Sequence, residues 1–434
     1  MTLSRKPLKG MRQLEPEDKR IENWILDVIA ETGRAYGFEE YEAPVLEPLE
    51  LFTAKSGSEL AVEQSYNFTD KGGRELIMRP ELTPSLARMV AASGELIYPV
   101  RWMSFPVCYR YERPQRGRNR EFMQFNLDIL GVNGLEAELD VVLVLSRILR
   151  DLGAGPDQFA IRYSSRKLAS FVLKELGLEE QEIQAAYSVM DKRDKMPEDK
   201  WMEWARDQLE NSESAERVIR FASCESVSDP WLADIADGST AYDEIRAFGA
   251  MLAEAGVSEA RFEASVVRGL DYYTGIVFEV MDTGGENRRA ICGGGRYDDL
   301  VGLFGGQQIS GVGFGLGLLT LKLFLETYSL IPDSVRTGHP AQLFLAVYSG
   351  EERGYALKLS EELRDKGLRV EMDVTGKGLS RQFKIADRKG IPLIAVIGPE
   401  EVESGVVQLK SMASGEENRV EVTELADTVM KAEG

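Results

Sequence analysis

The chain has 434 residues, 43% of them hydrophobic and 29% charged, with a formal net charge of −20. That composition describes a water-borne chain long enough for two or three domains. No run approaches the roughly 18 apolar residues of a membrane span, and MTLSRKPLKGMRQ has no apolar core of a signal peptide, so a cytoplasmic protein is expected. Cys108, Cys224 and Cys292 are spaced too widely for a disulfide framework or a C-x-x-C metal clip. The acidic balance repels phosphate and argues against a simple nucleic-acid binder; any such partner must meet local basic patches.

Residues 17–36 predict an amphipathic helix, with Ile21, Trp24, Ile25, Val28 and Ile29 at helical spacing and Gly37 as the stop. EEYEAPVLEPLELF reads as extended, its prolines suiting edge or end-of-strand positions. SYNFTDKGGRELIM predicts two short strands about the turn DKGG. RPELTPS then opens a helix, with Thr83 as N-cap and Pro84 at its first position.

Tyr109 to Gly131, YRYERPQRGRNREFMQFNLDILG, carries five arginines (Arg110, Arg113, Arg116, Arg118, Arg120) within eleven residues. Alternation in RWMSFPVCYRYE places Cys108, Arg110 and Glu112 on one face of a strand. In the second strand Met123, Phe125, Leu127 and Ile129 share a face opposite Gln124, Asn126 and Asp128. Two antiparallel strands joined by an arginine-rich loop suit a polyphosphate ligand, because guanidinium forks grip phosphate oxygens without losing charge.

From 168 to 256 the pattern is helical and acidic, and MDKRDKM, with Lys192, Arg193 and Lys195, is its one compact basic spot and reads as a solvated helix end. RFEASVVRGLDYYTGIVFEVMD predicts a strand, a tight bend holding Arg268, Asp271, Tyr272 and Tyr273, and a second strand. ICGGGRYDDLVG predicts a glycine turn that lets backbone approach a ligand, and GVGFGLGLLTLKLFLET leads into a helix. IPDSVRTGHP reads as a linker holding the sole histidine, His339, so no histidine general base or metal ligand exists in the core. Beyond it, strands alternate with amphipathic helices, predicting a small α/β domain with a mainly parallel sheet. Lys377, Arg381, Lys384 and Arg388 recur at four, three and four residues, on one helix face.

RYERPQRGRNREFMQF resembles motif 2 of class II aminoacyl-tRNA synthetases in its histidyl-tRNA synthetase form. RGLDYYTG followed by VFE resembles the first histidyl signature, and GGGRYD the second. The opening helix, strand and proline are similar in arrangement to motif 1, which implies a homodimer. The NLDIL spelling is closer to the archaeal and eukaryotic branch. One departure stands out: class II motif 3 carries Glu-Arg where this chain has Leu319 and Thr320.

The resemblance implies an α+β catalytic core on an antiparallel sheet flanked by helices (1–167 and 257–330). It also implies an all-helical insertion leaning on the tRNA acceptor stem (168–256), a linker (331–340) and an α/β anticodon-binding domain (341–434). The implied reaction joins histidine to tRNA(His) through histidyl-adenylate, with ATP and Mg2+ and no side chain assigned as a metal ligand. Carried over by motif, Arg110, Arg118 and Arg268 would bind ATP, and Arg268 and Arg110 would be the catalytic pair. Glu81, Thr83 and Gln124 would take the ammonium group, Arg268 the carboxylate, Asp128 and Tyr273 the imidazole edge with Tyr297 against the ring, and Tyr272 would be a further histidine contact. Lys377, Arg381, Lys384 and Arg388 would face tRNA. The alternatives are a non-catalytic histidine-binding paralogue, similar to the regulatory subunit of ATP phosphoribosyltransferase, and a class II synthetase for threonine, proline or glycine.

Overall fold

The computed structural model describes residues 4–53, 64–209, 212–270, 272–305 and 307–433; Asp271 of the expected bend lies outside the described residues. Helix α1 (Pro16–Ala35) begins with proline at its start and Glu17 and Asp18 in the first turn, where carboxylates favour the helix dipole. Ile21, Ile25 and Ile29 lie on one buried face, each contributing about 1.5–3 kcal/mol of apolar burial. Strand β1 (Glu39–Glu40) follows, then β2 (Leu46–Pro48), α2 (Glu50–Thr53), β3 (Tyr66–Thr69) and β4 (Glu75–Met78). β2, β4 and β3 form a small antiparallel sheet.

Helix α3 (Thr83–Ala92) starts at Thr83 itself, with Leu82 in the cap position and no side-chain cap. The expected N-cap role of Thr83 is therefore wrong; its hydroxyl turns to a tyrosine instead, as described below. The first motif 2 strand is two strands, β5 (Val100–Ser104) and β6 (Val107–Tyr109), interrupted at Phe105–Pro106 because proline has no N–H for the ladder. Both pair antiparallel with the ten-residue β7 (Glu121–Leu130). Then come α4 (Glu136–Asp151) and β8 (Phe159–Ser165).

Six α-helices fill the next stretch: α5 (Arg166–Glu175), α6 (Glu180–Asp191), α7 (Glu198–Gln208), α8 (Ser212–Ala222), α9 (Pro230–Ile235) and α10 (Thr240–Glu254), with a 3-10 turn at Arg193–Lys195. Trp201 is fully buried among them and donates its indole N–H to the Val189 carbonyl at 2.8 Å. The chain returns through β9 (Ala260–Phe262), β10 (Ile276–Asp282), β11 (Cys292–Tyr297) and β12 (Gly311–Gly317) to α11 (Leu318–Thr327). GGGRY is thus a central strand and not a turn.

The large sheet runs β1-β5-β7-β12-β11-β10-β8-β9, with β6 added on β7. Its pairs are antiparallel except at the edges, where β1 lies parallel to β5 and β9 to β8. Phe125, Leu127 and Ile129 are buried on the face of β7 covered by α4 and α11, leaving Gln124, Asn126 and Asp128 on the other. Met1–Ile331 form one compact unit and Pro332–Gly434 a second.

The second unit holds α12 (Asp333–Thr337), β13 (Leu343–Val347), α13 (Arg353–Asp365), β14 (Val370–Met372), α14 (Leu379–Lys389), β15 (Leu393–Ile397), α15 (Pro399–Ser404), β16 (Val406–Ser411), β17 (Glu417–Glu421) and α16 (Leu425–Glu433). The expected linker therefore contains a short helix. β14, β13 and β15 are parallel, as expected, but β16 and β17 run antiparallel at one edge, so the sheet is mixed. The connection from β16 to β17 is too short for a crossover and can only make a hairpin.

Candidate active site

A cavity of about 700 Å³ lies on the polar side of β7. All ten residues expected from motifs to bind histidine or ATP line it: Glu81, Thr83, Arg110, Arg118, Gln124, Asp128, Arg268, Tyr272, Tyr273 and Tyr297. They come from four separate stretches, and the sheet register explains the convergence. Asp128 stands opposite Gly313, Asn126 opposite Gly315 and Gln124 opposite Gly317. A Cβ at Gly313 would lie 1.9 Å from Asp128 Oδ1, and one at Gly311 2.3 Å from the Tyr297 ring. On β11, a Cβ at Gly293 would lie 2.0 Å from the Arg268 guanidinium. The glycines of GVGFGLG and GGG are therefore a floor cut away beneath named side chains.

At the inner end, Tyr297 donates its hydroxyl to Asp128 Oδ1 at 2.7 Å. Asp128 is buried, and its Oδ2 has no hydrogen-bond partner. Burial pushes the Asp128 carboxyl up to about 7, with the Tyr297 hydrogen bond working the other way. Asn126 Oδ1 is likewise buried without a partner. Tyr272 donates to Glu81 Oε2 at 2.8 Å and lies 3.5 Å from Thr83 Oγ1. Its ring stands 4.9 Å from Tyr273 and 6.0 Å from Tyr297, centroid to centroid. Burial, and then the nearby Glu81, raise the Tyr272 phenol; burial carries Tyr273 to about 12 against the pull of Arg268. All three phenols stay protonated, those of Tyr272 and Tyr297 already donating to Glu81 and Asp128.

Arg268 occupies the left-handed region at φ 57, uncommon for a side chain of this size. Its Nη1 donates to Glu279 Oε2 at 3.1 Å, while its Nε is buried and unpartnered. Burial is the largest influence and works against its charge, but Glu279, Tyr273, Cys292 and Asp191 together outweigh it and hold the guanidinium above the usual arginine value. The other oxygen of Glu279 is held by Arg162, a buried arginine that also binds Glu263 at 2.8 Å and Asp194 of the helical stretch.

The arginine loop forms the outer end. Arg110 donates from Nε to the Pro80 carbonyl at 3.0 Å and stacks 5.1 Å above the Phe122 ring. Arg118 pairs with Glu112. The loop is closed by Gln115 and Arg118, which exchange backbone hydrogen bonds of 3.0 and 2.9 Å. Gly10 backs it, its carbonyl accepting from the N–H groups of Arg120 and Glu121.

The sequence reading missed several groups. Asp191 and Lys195 of the helical stretch line the cavity, as do Gln64, Glu112 and Asn126. The basic spot does sit at the end of α6, with Lys195 exposed and paired with Asp191, but it is not wholly solvated: Lys192 stacks on Trp204, Arg193 pairs with Glu225 at 2.7 Å, and Lys195 lines the cavity. Its charge alone carried no hint of that. Arg296, beside GGG, is buried against Glu138 and serves packing. In the second unit, Arg381, Lys384 and Arg388 are exposed on α14, whereas Lys377 precedes the helix and is not on its face. None of the four makes an ion pair with a described residue. His339 belongs to this unit, its Nδ1 accepting from the Ala341 N–H at 3.1 Å.

Comparison with known proteins bears on the whole chain. Residues 10–321 match the family model described as histidyl-tRNA synthetase, and residues 342–432 match that of an anticodon binding domain. The chain is 38% identical to the histidine–tRNA ligase of Opitutus terrae, covering 95% of each. It is 36% identical to that of Leptospira biflexa, covering 94% of this chain and 93% of the other. Further relatives come from archaea and a plant, so they do not single out one branch. The crystal structure of histidyl-tRNA synthetase from Nostoc superposes with a TM-score of 0.83 at 26% identity, over 99% of this chain and all of that one.

Proposed function

The chain belongs to the histidyl-tRNA synthetase family, with its activity of ligating histidine to tRNA using ATP, and from that premise we propose how its own residues divide the work. The observation that carries the proposal is the Asp128–Tyr297 pair with its vacant Oδ2. A buried acceptor held by a neighbouring phenol is what an imidazole N–H needs, and the flanking tyrosines close on the ring. Glu81, Thr83 and Gln124 then take the ammonium group, Glu81 being oriented by Tyr272. This leaves the histidine carboxylate toward Arg268.

The carboxylate oxygen attacks the α-phosphorus of ATP, the bond to the bridging oxygen breaks, and pyrophosphate leaves with the electron pair. No side-chain nucleophile is needed; the protein positions the reactants and stabilises developing charge. Arg268 does this at the α-phosphate, held in place by Glu279 and given room by Gly293. Arg110 and Arg118 hold the nucleotide. In the second step the terminal ribose hydroxyl of tRNA attacks the carbonyl carbon and AMP departs. Mg2+ fits as a companion of ATP: it ordinarily takes one or two carboxylates plus substrate phosphates, and Glu112 is the acid beside Arg118. Its charge would offset that of the phosphates. Among the described residues no cluster of three or more His, Cys, Asp or Glu could cage a metal.

Residues 168–256 are proposed to lean on the acceptor stem, and 341–434, through Lys377, Arg381, Lys384 and Arg388, to meet the anticodon side. A homodimer is supported by Val45, Leu46 and Phe68, apolar yet exposed on and beside the three-stranded sheet; light scattering giving a monomer's mass would remove it. No helix among the described residues is long and apolar enough to cross a membrane, and a cytoplasmic place is proposed. ATP–pyrophosphate exchange tests the site assignment: it should require histidine, and Asp128→Asn should raise the KM for histidine at least tenfold with little change for ATP. An equal rise for both substrates would reject the imidazole-binding role.

A further inference from the structure

Arg289 belongs to no motif read in the sequence. It precedes β11, and its side chain meets the tip of the arginine loop beside the start of α11. A Cβ at Gly117 would lie 3.3 Å from Arg289 Cδ and 3.5 Å from Thr320 Cγ2. The two side chains thus flank the same point of the loop from neighbouring elements. Thr320 turns its hydroxyl inward, to the carbonyls of Gly317 at 2.9 Å and Ile291 at 3.3 Å, and offers the loop only a methyl group.

Arg289 is partly buried and makes no ion pair or hydrogen bond with a described residue. Burial, and then the guanidinium of Arg118, hold its pKa below the usual arginine value; Glu112 acts in the opposite sense. Glu112 is already paired with Arg118. Two guanidiniums therefore share one carboxylate beside the outer end of the cavity, and one of them keeps all five donors unused by any described residue. Withdrawing a charge from water beside a like charge is unfavourable unless an anion completes the set. The loop on which they meet already carries the residues suited to polyphosphate.

We propose that Arg289, together with Arg118, grips the outer phosphates of ATP and the pyrophosphate that leaves, supplying from β11's approach the cation that Thr320 does not supply from α11. This rests on the ligase reading of the same pocket. As the α-phosphorus bond to the bridging oxygen breaks, the electron pair and charge pass to pyrophosphate, where these donors receive them. Position 320 is then free to be threonine because another element has taken over its charge.

The test is histidine-dependent ATP–pyrophosphate exchange on the full-length protein with Arg289→Ala, Arg289→Lys and the double variant Arg289→Ala/Thr320→Arg. Losing charge-assisted hydrogen bonds to phosphate should raise the KM values for ATP and pyrophosphate about tenfold to a hundredfold. The affinity for histidine alone, read by titration calorimetry, should stay within about twofold. Lysine should restore part of the loss and the double variant most of it; Thr320→Arg in the wild-type background should add nothing. If the alanine variant does not fold, Arg289→Gln carries the same expectation. ATP and pyrophosphate parameters within twofold of wild type, or an equal fall in histidine affinity, overturn the proposal. Absence of exchange in the wild-type protein would instead defeat the ligase reading on which it rests.

Discussion

The two ends of the cavity are built on opposite plans. At the inner end Asp128, Tyr297, Tyr272 and Glu81 are buried and hydrogen-bonded to one another before any ligand arrives. At the outer end Arg118 and Arg289 are partly exposed, and share the single carboxylate of Glu112. An uncharged aromatic ring can be recognised only by a shape that already exists, since it brings no charge to organise one. A polyphosphate brings its own, so its site can be left with cations in excess and completed on binding. The inner end is a fixed template; the outer end is half of a salt.

Arg268 stands between the ends, and removing it should have the largest effect. An arginine aimed at developing charge is worth about 2.7–4 kcal/mol in the transition state, so Arg268→Ala should lower kcat for adenylate formation by about 10²–10³-fold with modest change in ATP affinity, measured by exchange and by single-turnover rates. A wild-type rate would show that the two ends work without it.

The template can be broken by one methyl group. Gly313→Ala would put a Cβ 1.9 Å from Asp128 Oδ1, whereas at Gly315 the nearest atom, Gln124 Nε2, is 3.6 Å away. We expect Gly313→Ala to weaken histidine binding at least tenfold and Gly315→Ala to leave it within about threefold, both sparing ATP. If the two glycines respond alike, the floor is not what shapes the inner end.

The template also stores a cost that pH reveals. The Asp128 carboxyl is pushed to about 7 by burial, above the roughly 3.9 of an unfolded aspartate. The folded apo protein therefore keeps a proton that the unfolded chain releases. That contribution to stability is complete below about pH 4 and is lost as pH rises through 7. Thermal denaturation of wild type and Asp128→Asn should diverge accordingly, the wild type losing a few degrees relative to the variant between pH 5 and 8. Parallel curves would mean that Asp128 is ionised or solvated in the apo state.

The outer-end principle extends to the second unit. In a chain of net charge −20, Arg381, Lys384 and Arg388 on α14 have no carboxylate partner among the described residues, while Lys389 on the same helix pairs with Glu371. Replacing Lys377, Arg381, Lys384 and Arg388 by glutamate should weaken tRNA binding and flatten its salt dependence without altering pyrophosphate exchange. Unchanged affinity and slope in filter binding would leave those charges as a solvated face.

Legibility in the sequence followed the same division. Alternation in MQFNLDI marked which face of β7 is polar, and motif spelling named ten residues that line one cavity. Glycine was harder to read. GGG suggested a turn because glycine permits one; it lies in a strand because Arg268, Phe278 and the β12 backbone occupy the volume a side chain would need. RWMSFPVCYRYE suggested one strand, since alternation does not register that Pro106 cannot complete the ladder. Arg289 and Lys195 left no periodic or motif signal at all. Lys195 reaches the cavity, and Arg289 the arginine loop at Gly117, only through a fold that brings a helical stretch and β11's approach to them. Thr83 shows the reverse case, a good capping residue whose hydroxyl is better used elsewhere.

Amide hydrogen exchange on the wild-type protein, apo, with histidine alone and with ATP and Mg2+ alone, tests the contrast between the two ends most directly. The account predicts that amides of β7, β11 and β12 are protected in all three states, while those of Arg113, Arg116, Gly117 and Asn119 exchange quickly in the apo and histidine-bound protein and slow only when ATP is present. Loop amides already protected without nucleotide, or strand amides that tighten with histidine as much as the loop does with ATP, would contradict it.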